Sequence, residues 1–94
     1  MFVGNEIRDA IEEVVRKELH PAEVVSIDVK GDFDHDGDEI LRITVVFEAE
    51  GGRLNTSKVL GLPRHLREPL AKLQEKRFPI LTYMKPDELD GAAA

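Results

Sequence analysis

The apolar residues of this chain change their period at His20-Pro21, and that change restricts the fold more than any other feature. Before it, Ile7, Ala10, Ile11, Val14, Val15 and Leu19 recur at helical spacing, with Glu6, Asp9, Glu12, Glu13, Arg16 and Lys17 on the other side. After it, Val25, Ile27 and Val29 alternate with Ser26, Asp28 and Lys30, the period of two that marks a half-buried strand. A helix and a strand that are each apolar on one side only must cover one another, so the chain is predicted to layer helix on sheet.

The helix is expected over residues 6–19, with Asn5 as its N-cap and early acids favoured by the helix dipole. Glu12 with Arg16 and Glu13 with Lys17 are pairs four apart, and the residue before Pro21 is pushed out of the helical region. Ile40 to Glu50 repeats the strand period, with Leu41, Ile43, Val45 and Phe47 facing one way and Arg42, Thr44 and Glu48 the other. The turn-rich stretch Gly31 to Asp38 between the two strands predicts a β-hairpin.

Gly51-Gly52 breaks the second strand, and Asn55-Thr56-Ser57 offers N-caps for a further helix over 57–77. Gly61 and Pro63 predict an interruption, with a first turn ending near Leu60 and Pro63 opening a new helix. Leu62, Leu66, Leu70 and Leu73 keep one apolar face across it, while Pro69 predicts either a kink or a second restart. Phe78-Pro79 is read as the helix stop and Ile80 to Met84 as a third strand. Pro86 to Leu89 can begin one helical turn, and 90–94 is expected to be a disordered tail.

These segments predict a single α+β domain over 1–89, in the order α-β-β-α(α)-β, with an antiparallel three-stranded sheet and the helices packed on one face. The 94 residues leave room for one core, since domains run to roughly 50 to 200 residues. A core of this size leaves a thin stability margin, which favours self-association or a protein partner. No apolar run reaches bilayer length, and the start lacks a basic stretch followed by an apolar one, so a cytoplasmic protein without membrane contact is expected. Zero cysteines exclude disulfides and thiolate metal sites.

The net charge of -6 is unevenly spread. Residues 1–50 carry 5 basic and 14 acidic residues, net -9, whereas 51–78 carry 7 basic against 2 acidic, net +5. Of the basic segment, Arg64, His65, Arg67, Lys72, Lys76 and Arg77 are the candidate partner-binding residues, predicted to share the helix that carries the leucine face. Clustered arginines bind phosphates or carboxylates. The acidic balance and 5% aromatic content disfavour nucleic acid and leave an acidic protein surface, or the protein's own acids, as the expected counterpart.

The acidic half concentrates in Asp32-Phe33-Asp34-His35-Asp36-Gly37-Asp38, which resembles the D-x-D-x-D-G opening of an EF-hand calcium loop. Asp32, Asp34, Asp36 and Asp38 are therefore the candidate ligands for calcium or another divalent cation, and no other cofactor is expected. Position twelve of such a loop should be a bidentate Glu but is Ile43, and the flanks read as strands, so an EF-hand is excluded. A solvated hairpin turn explains the same residues, because Asp and Gly favour turns for local reasons. His20 and His65 have no acid and nucleophile beside them in sequence, and Ser26 and Ser57 fall on a strand face and at a cap, so no catalytic residue is predicted.

In element order the chain resembles type II KH domains and the similarly built BolA proteins. Gly61-Leu62-Pro63-Arg64 stands where the KH Gly-x-x-Gly loop would be, with Arg64 in place of the second glycine. The resemblance implies a single-stranded RNA-binding role for Gly61 to Lys72. The residues themselves point first to a non-enzymatic interaction module, an adaptor, regulator or partner subunit that binds through the basic helix or a sheet edge.

Overall fold

The computed structural model describes residues 2–88, in the order α1 (Asn5–Leu19), β1 (Glu23–Phe33), β2 (Glu39–Glu48), a 3-10 turn (Glu50–Gly52), α2 (Thr56–Lys72) and β3 (Phe78–Met84). The small α+β domain is that expected, while its order differs in part, since a 3-10 turn precedes α2 and the expected helix pair is one helix; the tail at 90–94 lies outside the described residues. Pro86 to Glu88 form a helical turn, with the Glu88 carboxylate accepting from Lys85 N at 3.0 Å.

Helix α1 buries Ile7, Ile11, Val15 and Leu19, one residue per turn. Gly4, not Asn5, occupies its N-cap, and the Gly4 carbonyl accepts from Arg8 N at 3.1 Å. Asn5 is thus the first helical residue and makes no cap. Arg16 pairs with Glu12 at 2.9 Å and also donates to the Val24 carbonyl at 2.8 Å, fastening α1 to the start of β1.

The sheet order is β1-β2-β3, and the sheet is mixed, which corrects the antiparallel expectation. β1 and β2 form the predicted antiparallel hairpin, from Phe33↔Glu39 to Glu23↔Glu48. β3 runs parallel to β2, from Ile40↔Phe78 to Val46↔Met84. The cause is the connection: a chain leaving the end of β2 through a seventeen-residue helix returns to the end where β2 began, so its next strand repeats the direction. The register of β1 shifts between Val24 and Ser26. Val24 is therefore buried and Val25 is 48% exposed, so Val25 does not share the inward face with Ile27 and Val29 as strict alternation predicts.

Helix α2 is one continuous helix, capped by Asn55, whose side chain accepts from Lys58 N at 3.2 Å. Pro63 and Pro69 both lie inside it, and neither restarts it. Without an N–H they cannot donate to the Val59 and His65 carbonyls four residues earlier, a loss tolerated because Leu62, Leu66 and Leu70 anchor successive turns in the core. The helix stops at Lys72, five residues before the predicted end. Gln74 takes a left-handed φ of 58°, and Glu75 N bonds the Leu70 carbonyl at 2.9 Å while Gln74 N bonds that of Ala71 at 3.0 Å. That is a Schellman stop, usually built on glycine.

One core cluster joins both helices to Leu41, Ile43 and Val45, so α1 and α2 cover the same face of the sheet. On the other face, pairing places Ser26, Asp28, Lys30 and Asp32 of β1 beside Ile40, Arg42, Thr44 and Val46 of β2 and Phe78, Ile80, Thr82 and Met84 of β3. Ile40 and Val46 are 2% and 3% exposed yet lie outside the helix-side cluster, so this second face buries an apolar side chain near each end of β2, with Arg42 and Thr44 between them.

Candidate functional site

The Asp-rich segment divides in two. Asp32 belongs to β1, where its carboxylate accepts from Arg42 Nε and from Phe33 N at 2.7 Å. These bonds hold the Asp32 carboxyl below its usual range, the Arg42 contact contributing most. Asp34, Asp36 and Asp38 form the turn proper, and a carboxylate oxygen of each lies within 4.8 Å of the others. Asp34 Oδ1 accepts from Asp36 N and Asp38 N, both at 2.9 Å, and Asp34 N bonds the Asp38 carbonyl. Gly37 has a φ of 84°, where a side chain would be strained. The four predicted ligands are thus not one set: Asp32 is held by Arg42, and Asp34 is committed to the turn.

The basic segment also divides. Lys76 and Arg77 follow the helix instead of riding on it. Arg77 clasps Glu75 through Nη2–Oε1 at 2.7 Å and Nε–Oε2 at 3.0 Å, its side chain only 15% exposed. The pair draws the Glu75 carboxyl below, and the Arg77 guanidinium above, their ordinary values, chiefly through their mutual hydrogen bonds. His65 Nε2 lies 3.1 Å from Glu18 on α1, and Lys72 lies 3.3 Å from Glu68. Lys58, outside the predicted set, donates to the His20 carbonyl. Among the described residues, Arg64, Arg67 and Lys76 are the predicted binding residues left without a carboxylate partner. Gly61-Leu62-Pro63-Arg64 lies wholly inside α2 with Leu62 fully buried, so its backbone forms helix and not a phosphate-cradling loop.

The two sheet edges differ in a way the sequence alone did not isolate. β1 presents Glu23, Asp28, Lys30 and Asp32 and carries a bulge, the features that discourage pairing with another chain. β3, Phe78-Pro79-Ile80-Leu81-Thr82-Tyr83-Met84, has no charged residue, and Pro79 near its start is its one protective feature. Phe78, its first residue, is 65% exposed. Beside it, an open groove of about 290 Å³ runs between α2 and β3, lined by Pro63, Arg67, Leu70, Lys76, Phe78 and Pro79.

No protein-family model, curated protein or solved structure matches this chain. Function therefore rests on the geometry. Among the described residues, no helix is long and apolar enough to cross a membrane.

In the sequence Phe78-Pro79 reads as a helix stop, which leaves both outside the candidate set. The uncharged run from Phe78 to Met84 is the signal that marks them, but only as the sheet's outer strand does it acquire meaning.

Proposed function

We propose that this chain is a non-enzymatic protein-interaction module that accepts an extended segment of a partner along the free edge of β3. The observation that carries the reading is the contrast between the edges: β1 is charged and bulged, whereas β3 offers an uncharged seven-residue edge. An added strand would gain main-chain hydrogen bonds from β3 and side-chain contacts with Phe78, Ile80 and Met84 on the face away from the helices.

The test is selection of displayed random peptides against the immobilised protein. Binders should be extended and rich in β-branched or aromatic residues, should protect β3 amides from hydrogen exchange, and should fail when alternate peptide amides are N-methylated. Binders that protect α1 instead, or that tolerate N-methylation in both frames, would refute edge pairing.

A further inference from the structure

We infer that the groove between α2 and the start of β3 selects partner segments that carry a carboxylate beside their strand-forming residues, an inference that rests on the edge-pairing reading and gives it a chemical specificity. Two of the cations left without a carboxylate partner among the described residues, Arg67 and Lys76, line this groove. They flank an apolar floor of Pro63, Leu70 and Pro79 and the exposed ring of Phe78. Glu75 and Arg77 also border it, but both oxygens of Glu75 are occupied by Arg77, so Glu75 is a poor counter-ion for Lys76. A carboxylate in the groove meets Arg67 and Lys76 while the residues beside it reach Phe78 and the open strand.

The groove on the opposite side of α2 carries carboxylates, Glu18 and Glu68, that the groove beside β3 lacks. It contains Lys17, Glu18, Arg64, His65, Glu68 and Lys72, and there Lys72 faces Glu68 and His65 faces Glu18, while Arg64 has no carboxylate partner among the described residues. The cations beside β3 lack such partners within the described chain, and they adjoin the one uncharged sheet edge.

Charge also ranks the occupants. A nucleic-acid backbone needs a longer track of cations than two side chains provide, and the net charge of -6 repels it. A second copy pairing its own β3 antiparallel about Leu81 would set Arg77 opposite Lys85 at both ends of the ladder. An acidic, apolar, extended segment of another protein meets neither obstacle.

The experiment uses three short peptides with the same alternating valine-threonine centre, flanked at both ends by aspartate, asparagine or lysine, with binding read by fluorescence polarisation at low salt. The aspartate peptide is expected to bind about tenfold more tightly than the asparagine peptide, the lysine peptide most weakly, and added salt to erase the difference. The double variant R67E/K76E, both positions exposed, should reverse the order while retaining the wild-type melting temperature. Equal binding of all three peptides, or an unchanged order on the double variant, overturns the groove inference while leaving edge pairing intact. Aspartate binding that survives N-methylation of the peptide overturns edge pairing while leaving the groove intact. Binding of oligouridylate with no binding of any peptide overturns both, as does the absence of any binding at millimolar peptide.

Discussion

Arg77 closes a fork on Glu75, two residues before it, and extends its remaining nitrogen, Nη1, to the Phe2 carbonyl at 3.1 Å, so one side chain ties the α2–β3 connection to the segment before α1. With the Glu75 side chain 8% exposed, removing the guanidinium strands a nearly buried carboxylate. Arg77→Ala is therefore expected to lower unfolding stability by about 1.5 to 3 kcal/mol in urea titrations. Its pH dependence has a defined sign. Arg77 lowers the folded-state pKa of Glu75, so the pair's contribution is complete above the ordinary carboxylate range and is lost as pH falls through the lowered value. Glu75→Gln should flatten that acid limb; an unaltered limb would mean that the pair does not couple to folding. Asp32, lowered by Arg42, contributes in the same direction, and Asp32→Asn separates the two.

Tyr83 supplies the opposite limb. It is the only tyrosine, its hydroxyl is buried with no hydrogen-bond partner among the described residues, and burial pushes its pKa up to about 12. Tyrosinate absorbance should therefore rise at about 12 in the folded protein, against about 10 in urea. The unfolded chain releases the proton first, so stability should fall as pH rises from about 10 towards the folded value. Tyr83→Phe should abolish that fall and, at neutral pH, match or exceed wild-type stability, because it deletes an unmatched hydroxyl. A native titration near the ordinary value would show that water reaches the group.

Gln74 stands where the Schellman stop calls for a left-handed residue, at a φ of 58°. A side chain there costs roughly 1 kcal/mol or more relative to glycine. Gln74→Gly should raise the midpoint of urea unfolding by the equivalent of about 1 kcal/mol without altering peptide binding. A destabilised variant would show that the Gln74 side chain contributes contacts of its own.

In the acidic turn, Asp34 and Asp36 should separate by role. Asp34→Ala removes the acceptor for two backbone N–H groups and should cost about 1 kcal/mol, whereas Asp36→Ala, at an exposed position, should stay within about 0.5 kcal/mol of wild type. Because Asp34 is committed to the turn, millimolar calcium should leave the melting temperature unchanged. A calcium-dependent rise that Asp36→Asn and Asp38→Asn abolish would instead assign chelation to the loop.

What was legible in the sequence followed from periodicity. The spacing of four between Ile7, Ile11, Val15 and Leu19, and again between Leu62, Leu66 and Leu70, is a local property, and it placed both helices and their buried faces. The direction of β3 was not local. It follows from where a long helical return delivers the chain, which no residue of Phe78 to Met84 specifies. The prolines misled for a related reason: each weakens α2 locally, but the leucines on neighbouring turns keep the helix whole. At the site, the net charge of 51–78 was visible, yet which basic residues remained without a partner depended on contacts as distant in sequence as His65 with Glu18.

The bulge in β1 is the clearest case of tertiary packing overriding a local pattern. Val24, Val25, Ile27 and Val29 permit two frames of alternation, and the sheet adopts one that buries Val24 at 6% exposure and leaves Val25 at 48%. The Arg16 hydrogen bond to the Val24 carbonyl lies at this point, which links the register of β1 to the end of α1. Val24→Ala should therefore cost about 1.5 to 3 kcal/mol, the worth of a buried valine, while Val25→Ala should stay within about 0.5 kcal/mol of wild type. Arg16→Ala should weaken the distinction, since the helix end would no longer hold the shifted frame. Equal losses at the two valines in paired urea titrations would show that the strand samples both registers.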